Sequence, residues 1–113
     1  MFLTRPDARL ATVCFGAGTT TLVALGGWIG SWELWLEPFC LLSSTFRTIA
    51  FDHRGTGATL AAPESINFAT LVDDLFAVLD AYAIEQCVLA AESAGAAVAL
   101  RRSCSTPSAL VAW

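Results

Sequence analysis

The segment Cys87-Val88-Leu89-Ala90-Ala91-Glu92-Ser93-Ala94-Gly95-Ala96-Ala97 constrains this chain more than any other. Residues 87–91 are short and apolar without alternation, the pattern of a central strand covered on both faces. Residues 94–102 are Ala-rich and read as a helix that begins almost without a loop. A strand and a helix joined this tightly need small residues where they press together, and Ala91 and Gly95 supply them. Such a turn strains the backbone and lifts the Ser93 hydroxyl out at the end of a sheet. The helix start then offers the Ala94 N–H to negative charge developing on an oxygen. Taken alone, A-x-S-x-G also describes a serine capping a helix, so the rest of the chain has to decide.

Elsewhere short β-like runs alternate with helical ones, which predicts an α/β fold with a mostly parallel sheet and helices on both faces. Residues 9–15 read as a first strand, ended by Gly16-Ala17-Gly18. Residues 21–25 are a second, running into Gly26-Gly27-Trp28-Ile29-Gly30. Ser31 is placed to cap a helix with Glu33 in its first turn, and Pro38 divides that helix into short pieces. Residues 46–51 form a third strand, closed by Asp52-His53-Arg54-Gly55-Thr56-Gly57. Asn67 caps the clearest helix, on which Leu71, Leu75, Val78, Leu79 and Tyr82 form one apolar stripe. Asp73, Asp74 and Asp80 lie off it and are expected in solvent. Pro107 breaks the helix that follows Ser93, and residues 109–113 read as the start of another strand. As an exposed apolar edge, that strand would invite self-association.

Composition narrows the function classes. Hydrophobic residues make up 56% of the 113 and charged ones 14%, against about 25% charged in ordinary domains. That excludes a disordered chain, and the length allows one domain, residues 1–113. Net charge is −4 and the six basic residues, all Arg, form no stripe, so nucleic acid is not an expected partner. Cys14, Cys40, Cys87 and Cys104 show no C-x-x-C spacing, and a single His cannot complete an ordinary zinc site. They are expected to be buried or inert thiols, and neither metal nor cofactor is implied. The N-terminus meets charge and Pro before any signal-length apolar stretch. No run approaches 18 apolar residues. These features together predict a cytoplasmic protein without a membrane partner.

Three segments carry a resemblance. Gly26-Gly27-Trp28-Ile29-Gly30-Ser31 resembles the H-G-x-x-G-S oxyanion loop of the α/β-hydrolase fold family. Asp52-His53-Arg54-Gly55-Thr56-Gly57 resembles its D-x-R-G-x-G loop, and Ala91-Glu92-Ser93-Ala94-Gly95 its G-x-S-x-G nucleophile elbow. Order and spacing agree over roughly residues 9–113. The resemblance implies a serine hydrolase in which Ser93 is the nucleophile and the backbone N–H groups of Trp28 and Ala94 form the oxyanion hole. Its reaction would be ester-type hydrolysis of a small-molecule substrate. A Ser at the elbow, rather than Asp, argues against dehalogenase and epoxide-hydrolase chemistry. Gly26 stands where the family usually has His, and Ala91 where it usually has Gly; both are small. The Trp28 indole would line an acyl pocket, although core packing is the commoner role of a Trp.

One departure is larger. The family orders its triad Ser, then Asp or Glu, then His, and residues 94–113 contain none of these acids and no His. The resemblance places His53 two strands from the elbow, beyond reach of Ser93, in a turn whose Asp52 and Arg54 make local hydrogen bonds. The expectation is a truncated α/β-hydrolase domain whose triad acid and His are not present in this chain, and which alone is near-inactive. Two other readings exist. A strand followed by Gly27-x-x-Gly30, a helix and Asp52 imitates a nucleotide-binding fingerprint, but Leu25 stands at its first Gly, and Trp28 sits where pyrophosphate must approach backbone. The other is a non-catalytic interaction module built on the same fold.

Overall fold

The computed structural model describes residues 1–105 and 110–112, with side chains for residues 1–102. The expected break at Pro107 and the Cys104 side chain lie outside the described residues. Among the described residues seven strands form one sheet: β1 (Phe2–Arg5), β2 (Ala8–Phe15), β3 (Thr20–Leu25), β4 (Phe46–Phe51), β5 (Leu60–Ala61), β6 (Val88–Ala91) and β7 (Leu110–Ala112). Their order is β1-β2-β4-β3-β6-β7, with β5 beside β2. Pairings among β4, β3, β6 and β7 are parallel. Those of β2 with β1, β4 and β5 are antiparallel. The sheet is therefore mixed: the expected parallel part runs from β4 through β3 and β6 to β7, and β1, β2 and β5 form the antiparallel side. β1 and β2 pair antiparallel because Pro6 and Asp7 alone join them, with Asp7 at φ +59°. A link of two residues permits only a hairpin.

Helices cover both faces. Alternate residues of the central strands point to opposite sides. Val23, Leu25, Ile49, Phe51, Leu89 and Ala91 pack with α2 (Phe68–Ala81) and α3 (Ala94–Ser105). Leu22, Ala24 and Ala50 pack on the other face with Phe39 of α1 (Leu36–Leu42). Ser31 caps a short 3₁₀ turn, Trp32–Trp35, accepting a bond from the Glu33 N–H at 3.4 Å. That turn runs into α1, where Pro38 sits in the first turn and its missing N–H removes no intrahelical bond. Among the described residues no helix is long and apolar enough to cross a membrane.

At the start of α2, Asn67 Oδ1 accepts from the Thr70 N–H at 3.0 Å, and Thr70 Oγ1 accepts from the Asn67 N–H at 3.2 Å. This reciprocal cap satisfies two otherwise unpaired donors. The Leu71, Leu75, Val78 and Leu79 stripe is buried as expected. Asp74 is not in solvent: it is 0% exposed. It lies three residues after Leu71 and four before Val78, so it faces inward with them. Its carboxylate accepts from Arg54 Nε at 2.7 Å and Nη2 at 3.0 Å, and from Arg5 Nε at 3.2 Å. Asp73 and Asp80 are exposed.

Candidate active site

Because β4, β3 and β6 run parallel, their C-terminal ends and the loops that leave them lie at one end of the sheet. That is where open α/β sheets place their ligands. The junction of β6 and α3 has the strain expected of it. Ser93 sits at φ +52°, a left-handed conformation that costs a non-glycine residue roughly 1–2 kcal/mol, and it is exposed. The preceding residue is tied to β3 by Glu92 N–H donating to Leu25 O at 3.1 Å. Gly95 shows why this position must be small. A Cβ there would lie 2.5 Å from Gly26 O and 2.7 Å from Leu25 O, both backbone atoms.

The loop after β3 rests directly on this elbow. A Cβ on Gly27 would lie 3.0 Å from Ser93 Cβ, 3.3 Å from Ser93 Oγ and 3.9 Å from Ala94 N. Bare backbone thus faces both the hydroxyl and the head of α3. Trp28 comes next and is 54% exposed, so its indole is not a core group. It lines a narrow crevice with Gly27, His53, Leu71, Ala94 and Val98. Trp28 is therefore a neighbour in space of the Ser93–Ala94 junction, although more than 60 residues separate it from them in sequence.

The loop after β4 is anchored by Asp52, which is 2% exposed. Asp52 Oδ2 accepts from the Ala58 N–H at 2.9 Å, the local bond expected of it. Asp52 Oδ1 also accepts from the Trp32 N–H at 2.7 Å, which fastens the far end of the loop after β3. Arg54 does not bond locally. Its guanidinium reaches α2 and pairs with Asp74, whose hydrogen bond is the main cause of a raised Arg54 pKa. The D-x-R-G-x-G segment is thus held from two sides, and the partners of Arg54 could not be read from its neighbours in sequence.

His53 is 4% exposed and packs edge-on against Phe51, with ring centroids 5.1 Å apart. As expected, β3 separates its strand from that of Ser93. Among the described residues neither ring nitrogen has a hydrogen-bond partner, Ser93 included. Burial lowers its pKa. The Gly26 carbonyl, close but outside hydrogen-bond geometry, and the Asp74 and Asp52 carboxylates oppose that shift only in part. What the sequence did not suggest is that the ring shares a crevice with Gly27, Trp28 and Ala94. The thiols divide: Cys87 is buried, and desolvation raises its pKa against the opposing Arg102 charge, whereas Cys14 and Cys40 are exposed.

A strained, exposed serine at a strand–helix junction, covered by a glycine loop from the adjacent parallel strand, is the architecture of an α/β hydrolase. The chain belongs to that family: the model of the alpha/beta hydrolase fold matches residues 20–109. Among curated relatives, "Putative carbamate hydrolase RutD" of Pseudomonas syringae pv. syringae (strain B728a) is 30% identical over 98 residues. That match covers 86% of this chain and 38% of the relative. The protein of the same name from Caulobacter sp. (strain K31) is 31% identical over 93 residues, covering 80% and 34%. The chain thus spans between a third and two-fifths of the length of these relatives.

Solved structures agree. Wild-type Cfl2 from Burkholderia cenocepacia superposes with a TM-score of 0.87 at 31% identity, covering 96% of this chain and 37% of that one. Epoxide hydrolase VrEH1 from Vigna radiata gives 0.88 at 26% identity, covering 97% and 36%. A structure from a study of carboxylesterases of the thaumarchaeon Nitrososphaera gargenis gives 0.86 at 26%, covering 98% and 42%.

Proposed function

We propose that this chain carries the nucleophile and oxyanion hole of a serine hydrolase acting on small acyl compounds, esters or carbamates. The observation that carries this reading is the Ser93 hydroxyl, exposed at φ +52° beside Ala94 N and the Gly27 backbone. In the proposed reaction Ser93 Oγ attacks the acyl carbonyl carbon while its proton passes to a base. The resulting oxyanion is held by the Ala94 and Trp28 N–H groups, the leaving group departs, and water then releases the acyl group from Ser93. The names of the relatives include carbamate hydrolase, carboxylesterase and epoxide hydrolase. The first two reactions involve attack on a carbonyl carbon, which a serine serves.

The base is the element this chain does not supply. Residues 94–113 hold no Asp, Glu or His, and His53 makes no bond to Ser93. Loss of triad members leaves about 10³–10⁴-fold acceleration over water, from the oxyanion hole and binding, so the chain by itself is near-inactive. The test is labelling with a fluorophosphonate, mapped by mass spectrometry, with and without added imidazole as a surrogate base. Slow labelling at Ser93 that imidazole accelerates, and that Ser93→Ala abolishes, supports the reading. A folded chain that stays unlabelled in imidazole refutes the nucleophile. Fast labelling without imidazole refutes the near-inactivity.

A further inference from the structure

A second crevice is lined by the loop after β3, and Ser93 is not among its walls. Its volume is about 10 Å³, and Gly26, Trp35, Phe51, Asp52, His53 and Thr56 are among its walls. That is close to the smallest space that holds one water molecule, which also needs two to four polar partners. Two polar side chains here are already committed. Asp52 accepts from the Trp32 and Ala58 N–H groups, and the Thr56 hydroxyl donates to His53 O at 2.8 Å. Two are not. Trp35 Nε1 and both nitrogens of His53 are buried with no hydrogen-bond partner among the described residues. Buried donors and acceptors are rarely left this way, because desolvating them without a partner is unfavourable.

We propose that this crevice is a binding site for a single water molecule, held by Trp35, His53 and the Gly26 carbonyl. The chemistry of the three groups matches one water. The indole N–H donates to its oxygen. Its two hydrogens go to the unprotonated nitrogen of a neutral imidazole and to the carbonyl. Three bonds are the usual complement of a buried water. Gly26 neighbours both groups: a Cβ built on it meets only Trp35 Nε1, at 3.8 Å, and its backbone, together with the Asp74 and Asp52 carboxylates, opposes the effect of burial on His53. The water ties the turn that covers Ser93 to the 3₁₀ segment through Trp35 and to the loop after β4 through His53. Those two side chains are then positioning residues for the loop. That last role rests on the function proposed above; the water site does not.

Position 26 gives a direct test, because a methyl group fits there without meeting backbone. In the whole ¹⁵N-labelled chain, the Trp35 indole resonance is assigned by its loss in Trp35→Phe. The site predicts a water-to-Hε1 cross-peak of NOE rather than exchange sign at Trp35. It also predicts a hydrogen-bonded acceptor shift for one nitrogen of His53, the only imidazole in the chain. Gly26→Ala should abolish the cross-peak and move that nitrogen toward the free-acceptor shift, with the remaining amide spectrum retained. If Gly26→Ala fails to fold, the His53 nitrogen shift in Trp35→Phe is the second readout, and it should also move. A Trp35 indole without a water cross-peak in the unaltered chain overturns the proposal, as does a cross-peak that survives in folded Gly26→Ala. Neither readout depends on Ser93, so an unlabelled Ser93 with a water cross-peak would refute the proposed chemistry and leave this site standing.

Discussion

Replacing Asp74 by Asn should be the most damaging single change outside the apolar core. The carboxylate is 0% exposed and accepts three bonds, two of them from Arg54, whose side chain is 3% exposed. The amide keeps the shape and removes the charge, leaving a buried guanidinium uncompensated. Breaking such a pair from one side costs about 3–5 kcal/mol. The Arg5 bond adds little, because that side chain is 26% exposed and screened. Urea unfolding followed by tryptophan fluorescence would read the loss. With a slope of about 1–3 kcal/mol per molar urea, the midpoint should fall by roughly 2 M. Asp73→Asn and Asp80→Asn, on the exposed side of the same helix, should stay within about 0.5 kcal/mol of the parent. Replacing both partners together, Arg54→Met with Asp74→Leu, should recover most of the loss, since no buried charge remains. An Asp74→Asn protein within about 1 kcal/mol of Asp73→Asn would refute the argument that this pair holds the loop after β4 and α2 together.

Ser93→Gly relieves the φ of +52° while Ser93→Ala retains it; the glycine variant should melt no lower than the alanine one, against the usual order for the two residues. Gly95→Ala should destabilise by about 1–3 kcal/mol in urea although alanine is the better helix former, because its Cβ meets two carbonyl oxygens. A neutral or stabilising result would mean that the elbow can shift. His53 has a lowered pKa in the folded chain, so between its unfolded and folded values the unfolded state binds the extra proton. Its stabilising contribution is complete above the unfolded value, about pH 6.5, and is lost as pH falls through that window toward the folded value. The slope is at most about 1.4 kcal/mol per pH unit. Subtracting the stability profile of His53→Phe should isolate this dependence, and parallel profiles would contradict it.

Much of this could be read from the residues, for reasons that differ by element. β4 matches its expected span because it starts after Ser43-Ser44-Thr45 and ends at the glycine-bearing turn Asp52–Gly57, which leaves few alternatives. The Asn67 cap and the stripe on α2 follow from local chemistry and helical spacing. The elbow was legible because a strand and a helix cannot meet over two residues without small neighbours and a strained turn. β1 was missed: its four residues, FLTR, carry one charge and no pattern longer than a single alternation. Pairing along β2 supplies what its own sequence does not. β5, of two residues, exists only because β2 offers it an edge. Asp74 reads as solvated from sequence because a carboxylate on a helix face normally belongs there. Only the arrival of Arg54 and Arg5, 20 and 69 residues away, makes the inward position tolerable. Trp28 is exposed because it sits on the loop above the sheet, a position that its composition did not reveal.

The central place of β3 has a consequence for the order in which the protein is made. One edge of β3 can pair as soon as residues 46–51 exist, but the other waits for β6, with Leu25 opposite Ala91. Those two residues are 66 positions apart, which at ordinary rates of synthesis is roughly 3–13 s. During that interval Leu22, Val23, Ala24 and Leu25 present an unpaired, apolar strand edge to the cell. The glycine loop has no elbow to rest on until Ser93 and Gly95 have emerged. The nascent chain therefore passes through a stage with a partial sheet and no elbow, and the residues that end this stage are those of the candidate site.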